Sequence, residues 1–180
     1  MNAGTTETIR TTPEGKADLK SMLPQELEQY MASVGQPPYR ANQVFRWLSQ
    51  GITDFDQMSD LPKSLRETLA QTADLGGPRI ARKQVSKRDG TVKYLFGLAD
   101  GNCVETVVMQ YAHGNSVCLS TQAGCHMGCA FCASFEKGET RNLTPAEILD
   151  QVIFAGLDSG LSIATFGWWG RGDPWPTSAK

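Results

Sequence analysis

The sequence predicts an α/β protein in which a small helical module and an antiparallel β-meander precede the first βα units of a parallel barrel or sheet. Three observations carry that expectation. Apolar residues recur at helical spacing up to about residue 75, and they alternate singly from about Ile80 to Gln110. A strand, a cysteine-rich loop, a capped helix and a second strand then follow in the order of a βαβ unit.

Residues 1–15 are polar and contain no apolar segment of the kind a secretory signal carries, so they read as a disordered tail. Leu23, Leu27, Tyr30, Met31 and Val34 then share one helix face. Pro24 suits the first helical position, and Gly35 the position just past the end. A second helix is expected from about Tyr39 to Gln50, burying Ala41, Val44, Phe45 and Leu48. A third begins near Pro62, with Leu61, Leu65 and Leu69 at four-residue steps. Three short amphipathic helices cannot each bury a face alone, so residues 16–76 are expected to form a helical accessory domain.

The pattern changes at Gly76-Gly77-Pro78. Val92–Tyr94–Phe96 and Val104–Thr106–Val108 alternate, and Asp89-Gly90 and Asp100-Gly101 supply hairpin turns, which makes residues 77–112 an antiparallel meander. His113-Gly114-Asn115 reads as a loop, and Ser116 to Ser120 as a strand that runs into the cysteine cluster. Thr144-Pro145-Ala146-Glu147 fits a capping box, with Leu143 and Ile148 placed as a hydrophobic staple. That helix is expected to reach about Leu157 and stop near Gly160, and Leu161 to Phe166 reads as a buried strand. Residues 113–180 are thus the start of the parallel α/β part.

The 180 residues are 40% hydrophobic and 20% charged, with formal net charge −2, a composition of a globular protein with no strong bias towards an acidic or basic partner. No apolar run approaches the roughly 20 residues that cross a bilayer, so no membrane partner is expected and the location is read as cytoplasmic. Local charge says more. Arg79, Arg82, Lys83, Lys87, Arg88 and Lys93 cluster against the single acid Asp89. Such a stripe can hold a phosphate backbone, and it can equally be a solvated hairpin face.

Cys118, Cys125, Cys129 and Cys132 fall within fifteen residues, and the first hundred residues contain no cysteine. Clustered thiols without a disulfide framework suggest a metal or redox centre. Cys125, Cys129 and Cys132 are spaced C-x3-C-x2-C. Three thiolates suit an iron–sulfur cube that normally takes four ligands, leaving one iron open for a substrate or cofactor. The rival is a structural zinc site closed by His126 or His113, although no second ligand pair of the usual zinc spacing is present.

C-x3-C-x2-C between a strand and a helix resembles the signature of radical S-adenosylmethionine enzymes. The surrounding residues, Ser116-Val-Cys-Leu-Ser-Thr-Gln-Ala-Gly-Cys125, Arg141-Asn142-Leu143-Thr144 and Glu147-Ile148, resemble the RlmN/Cfr family of RNA adenine methyltransferases. So do Tyr39-Arg40 with Gln43-Val44-Phe45 and Trp47, Phe55-Asp56-Gln57-Met58 with Leu61-Pro62, and Asp89-Gly90-Thr91-Val92-Lys93-Tyr94. The resemblance covers about residues 16–166. It implies a partial TIM-type barrel holding a [4Fe–4S] cluster on Cys125, Cys129 and Cys132, with S-adenosylmethionine as cofactor.

The resemblance further implies methylation of adenine at carbon 2 in 23S rRNA and in tRNA, through a methyl-cysteine and a protein–RNA adduct. Glu105 would remove the proton from the adduct carbon and Cys118 would resolve the adduct as a disulfide, while Cys103 has no family counterpart. For Cys118 the alternative is an inert strand cysteine, and alternation alone would call Glu105 an outward-facing strand residue. Electrons would come from a flavodoxin or ferredoxin, and the protein would be a monomer. The helices and the basic hairpin would contact RNA. Methylation at carbon 8 and a non-catalytic RNA-binding module with a structural metal are the alternatives.

Some residues depart from the family. Ala133-Ser134-Phe135 replaces the usual Ala-Thr-Gly, and Gly170-Arg171-Gly172-Asp173-Pro174 aligns with the Gly-Met-Gly-Glu-Pro segment that holds the cofactor, leaving Gly172 and Asp173 as cofactor-binding candidates. Three tryptophans surround that segment, and about one and a half of six βα units are present. No residue matches the family's methylated cysteine. The chain is therefore expected to be incomplete and inactive alone.

Overall fold

The computed structural model describes residues 11–12, 14–125 and 141–167, which divide between two compact units, 1–76 and 77–180. The first is built of β1 (Ala17–Asp18), α1 (Pro24–Ser33), α2 (Tyr39–Ser49), α3 (Lys63–Thr72) and β2 (Ala73–Asp74), with short 3-10 turns at Leu19–Ser21 and Phe55–Gln57. Pro24 opens α1, where its missing N–H is no loss. Gly35 follows the helix at φ +73°, a conformation that only glycine adopts without strain. β1 pairs in parallel with β2, Ala17 opposite Ala73, so the two ends of the helical stretch are tied together.

Leu27, Met31, Val44, Met58 and Leu69 are fully buried at the centre of this unit, with Leu19, Leu61 and Leu65 around them. Two helical-face residues differ from the sequence expectation. Leu23 is 59% exposed because it caps α1 from outside, where its backbone N–H donates to Glu26. Phe45 is 47% exposed because Ala41, Val44 and Leu48 already fill the narrow buried stripe of α2.

The second unit is a five-stranded sheet in the order β3-β4-β5-β6-β9. β3 (Arg79–Val85), β4 (Val92–Gly97), β5 (Cys103–Tyr111) and β6 (Gly114–Cys118) run antiparallel to their neighbours. The segment expected as a loop at His113–Asn115 is a tight turn, with Gly114 already paired to Tyr111. A two-residue ladder joins β7 (Gln122–Ala123) to β8 (Arg141–Asn142), and α4 (Pro145–Ser159) leads to β9 (Ile163–Gly167), which pairs in parallel with β6.

α4 covers one face of the sheet. Against it lie Tyr94, Phe96, Val104, Thr106, Val108 and Val117, all fully buried, with Tyr94 and Phe96 stacked 5.4 Å apart. The start of α4 is as its capping box predicts: Thr144 Oγ1 accepts from Glu147 N, and Glu147 Oε2 accepts from Thr144 N at 2.8 Å. Its end is set by Gly160 at φ +69°. β9 is not the buried strand expected: Phe166 is 60% exposed, and the strand bonds to β6 on one side only among the described residues. No described helix is long and apolar enough to cross a membrane.

Candidate active site

The site is built on the face of the sheet that α4 leaves uncovered. Burial alternates along β5, so that Val104, Thr106 and Val108 turn towards α4 and Glu105, Val107 and Met109 turn away. Cys118 is paired across the ladder with Val107 and therefore stands on the same side as Glu105. Glu105 and Cys118 are diagonal neighbours, a relation that puts Cβ atoms about 7–8 Å apart or somewhat less. Cys118 is half-buried and Cys103 exposed, and neither these two nor Cys125 is in a disulfide among the described residues.

Glu105 has a partner that alternation in the sequence did not assign. Lys93 lies opposite Val107 on β4, and its Nζ reaches diagonally to Glu105 Oε1 at 2.8 Å. The cross-strand signal was present, since a lysine and a glutamate on adjacent strands of a hairpin meet when the register puts them two residues apart on one face. The register itself was not readable.

Behind this face, Gln151 of α4 is fully buried and fixes the chain between β6 and β7. Its Oε1 accepts from Ser120 N at 2.9 Å and from Thr106 Oγ1 at 2.8 Å, and its Nε2 donates to Ser120 O at 2.9 Å. Ser120 Oγ in turn donates to the carbonyl of Glu105 at 2.7 Å. One glutamine thus holds both the backbone that carries Glu105 and the backbone that leads to the cysteine loop.

The foot of that loop is clamped. Gln122 pairs with Asn142 and Ala123 with Arg141, and Leu143 N donates to Thr121 O, so the chain between Ala123 and Arg141 leaves and re-enters through one ladder. Arg141 forks onto Glu147 with 2.8 and 2.7 Å bonds and gives Nε to Asp100 at 2.7 Å. Glu147 and then Asp100 push the guanidinium up, against partial burial. Asp100 is raised by burial but lowered further by Arg141 and Asn102, which leaves it at about 2. Gly124, at φ +86°, turns the chain into Cys125.

Cys125 is a half-buried thiol one residue beyond this turn. Thr121 Oγ1 and Gln122 Oε1, at the same foot, are buried without a hydrogen-bond partner among the described residues. A free thiol beside unsatisfied polar atoms suits a bound group, and three thiolates in C-x3-C-x2-C suit an iron–sulfur cluster. Cys129, Cys132, Gly172 and Asp173 lie outside the described residues, as do His126 and the 133–135 segment. No group of three or more metal-ligating side chains occurs among the described residues.

The helical unit and the sheet in which β6 and β9 flank α4 give this chain a fold similar to that of a radical S-adenosylmethionine methyltransferase. The crystal structure of a radical SAM methyltransferase from Sphaerobacter thermophilus superposes with a TM-score of 0.79 at 40% identity, covering 87% of this chain and 47% of that one.

Within that class, residues 17–75 match the family described as Ribosomal RNA large subunit methyltransferase N-terminal domain. Proteins named probable dual-specificity RNA methyltransferase RlmN are 42% identical in Alkaliphilus oremlandii and 47% identical in Pelotomaculum thermopropionicum. Each match covers 88% of this chain, and 46% and 44% of those proteins respectively. The chain is thus a relative of the RlmN proteins, and it spans about half the length of the curated relatives it matches.

Proposed function

We propose that this chain belongs to a radical S-adenosylmethionine methyltransferase that acts on adenine in 23S rRNA and tRNA, at carbon 2. The observation that carries the proposal is the placement of Glu105 and Cys118 on one uncovered sheet face, with the clamped loop of Cys125 leading away from the same strand. The RlmN relatives named as RNA methyltransferases support it.

Cys125, Cys129 and Cys132 would hold the cluster, with Gly172 and Asp173 at the amino group of the cofactor. The bound cluster and S-adenosylmethionine supply one-electron cleavage of the sulfonium, chemistry that the protein's own side chains cannot perform. The chain's residues act afterwards. Glu105 would take the proton from the ring carbon that has gained a carbon–carbon bond; the C–H electron pair stays with the base, and the single electron left in excess by the radical addition would be taken up by the one-electron chemistry that the cluster supplies. The Cys118 thiolate would then attack the sulfur that tethers the base, that of a methylated cysteine to which no residue of this chain is matched. A disulfide forms, the sulfur–carbon bond breaks, and its electron pair leaves with the methylated base, which takes up a proton. A cytoplasmic location and a flavodoxin or ferredoxin as electron donor go with this reading.

Anaerobic reconstitution with iron and sulfide tests it. A brown protein with an electron paramagnetic resonance signal that shifts on adding S-adenosylmethionine is expected, and Cys125→Ala should abolish both. Recovery of only a colourless zinc protein would overturn the proposal in favour of a structural metal. In nucleosides digested from rRNA treated with the 180-residue chain alone, no methyladenosine is expected, because no residue of the chain matches the methylated cysteine. The appearance of 2-methyladenosine there would overturn that expectation, and 8-methyladenosine would also move the reaction to the other carbon.

A further inference from the structure

The cations of β3 and its turn are not equivalent, and a register irregularity sorts them. Between β3 and β4, Ile80 pairs with Phe96 but Arg82 pairs with Leu95, so Ala81 is an extra, bulged residue. In an unbroken strand Arg82 would point the same way as Ile80, onto the face that α4 covers. The bulge shifts the alternation by one residue. Arg82 therefore joins Arg79 on the uncovered face, while Lys83 turns towards α4.

The contacts agree with this sorting. Lys83 Nζ lies 2.6 Å from Asp158 Oδ2 on α4 and 5.7 Å from the centre of the Tyr94 ring. Lys93 is neutralised by Glu105. Arg79, Arg82, Lys87 and Arg88 are exposed, and none has a carboxylate partner among the described residues. The stripe of six cations is reduced to four uncompensated ones. Two of them share a face with Glu105 and Cys118, whose one negative charge is already paired.

Arg82, Leu95 and Glu105 also lie in one register row across three strands. Adjacent strands are about 4.8 Å apart, so the Arg82 and Glu105 backbones are separated by roughly 10 Å. That span lets a phosphate meet the guanidinium while the base of the same nucleotide lies over Glu105.

We propose that the bulged β3 edge, through Arg79 and Arg82 with Lys87 and Arg88 at the turn, holds the phosphate backbone of an RNA strand whose base is presented to the Glu105–Cys118 face. This rests on the proposed action on RNA and adds the surface that grips it. The occupant is a nucleic-acid backbone because the surface offers three guanidinium forks and one ammonium group, the donors that hold phosphate, without a carboxylate partner among the described residues.

Binding of a fluorescein-labelled 20-nucleotide oligoadenylate and a matching oligouridylate to the 180-residue chain, across a salt series, tests the proposal. Arg79→Gln with Arg82→Gln should weaken both probes about tenfold at low salt and flatten the log–log salt slope by about 1.4, since each lost single-strand phosphate contact removes about 0.7. Arg82→Lys should keep the slope, because it keeps the charge. Lys83→Gln should also keep it, because that ammonium is committed to Asp158. Circular dichroism of each variant separates lost binding from lost folding, and the lysine variant retains a charge-based readout if the double variant does not fold. An unchanged slope in the folded double variant, an equal loss in Lys83→Gln, or no binding of either probe by the unaltered chain would overturn the proposal. The cluster and its S-adenosylmethionine response are read without RNA, so failure here is distinguishable from failure of the proposed chemistry.

Discussion

Asp100, in the turn between β4 and β5, is held at about 2 against its ordinary 3.8, and Arg141 is the main partner that lowers it. A carboxylate depressed in the folded state stabilises that state above its unfolded value and loses the contribution as pH falls through its folded value. The gap in melting temperature between the unaltered protein and Asp100→Asn should therefore be full above about pH 4 and close as the pH approaches 2. A gap that persists unchanged at pH 2 would show that the asparagine acts by some route other than charge. Asp158 is depressed as well, first by Lys83 and then by Tyr94, whose own hydroxyl is pushed up by burial and by Asp158. Such pairs are invisible in sequence: Lys83 and Asp158 are far apart in the chain, and only the bulge at Ala81 brings them to one face.

Among the elements, those with local signals were legible and those set by tertiary pairing were not. Pro24, the Thr144–Glu147 capping box and Gly160 fix helix ends through the few residues around them, and each reads directly from the chain. The turns at Asp89-Gly90 and Asp100-Gly101 are equally local, with each aspartate accepting from the backbone N–H two residues on. The exposure of Phe45 and of β9, the bulge, and the Lys93–Glu105 pair depend on which neighbour fills a space. Of the site, the cysteine loop announces itself by spacing, whereas Gln151 resembles any helical glutamine until it is found buried between α4, β5 and Ser120. Gln151→Leu keeps the volume but removes from the interior the hydrogen bonds that the amide makes to the Ser120 N–H, the Ser120 carbonyl and Thr106 Oγ1. At about 1–3 kcal/mol for each buried hydrogen bond that loses one partner, a loss of about 3 kcal/mol is expected in chemical denaturation of the sheet unit. A loss under about 1 kcal/mol would mean that water or a neighbour replaces the amide.

At the scale of the whole molecule, the apolar interior is divided. One cluster draws its residues from Ala17 to Leu75 and the other from Ile80 to Ile163, with no residue in common. Stability in small domains comes from a single shared core, and a unit of about 60 residues is marginal by itself. Separate cores predict separate responses to damage. Met31→Ala, at a fully buried site of the helical unit, should cost about 2–5 kcal/mol and move only one of two denaturation transitions. The S-adenosylmethionine-sensitive cluster signal should survive it, because the thiol loop is rooted in the sheet unit. Phe96→Ala, equally buried in the sheet, should move the other transition and weaken the cluster signal with it. A single transition displaced alike by both substitutions would show instead that the two cores unfold as one cooperative body. In that case the helical unit would support the face proposed to be catalytic through stability as well as through any contact with RNA.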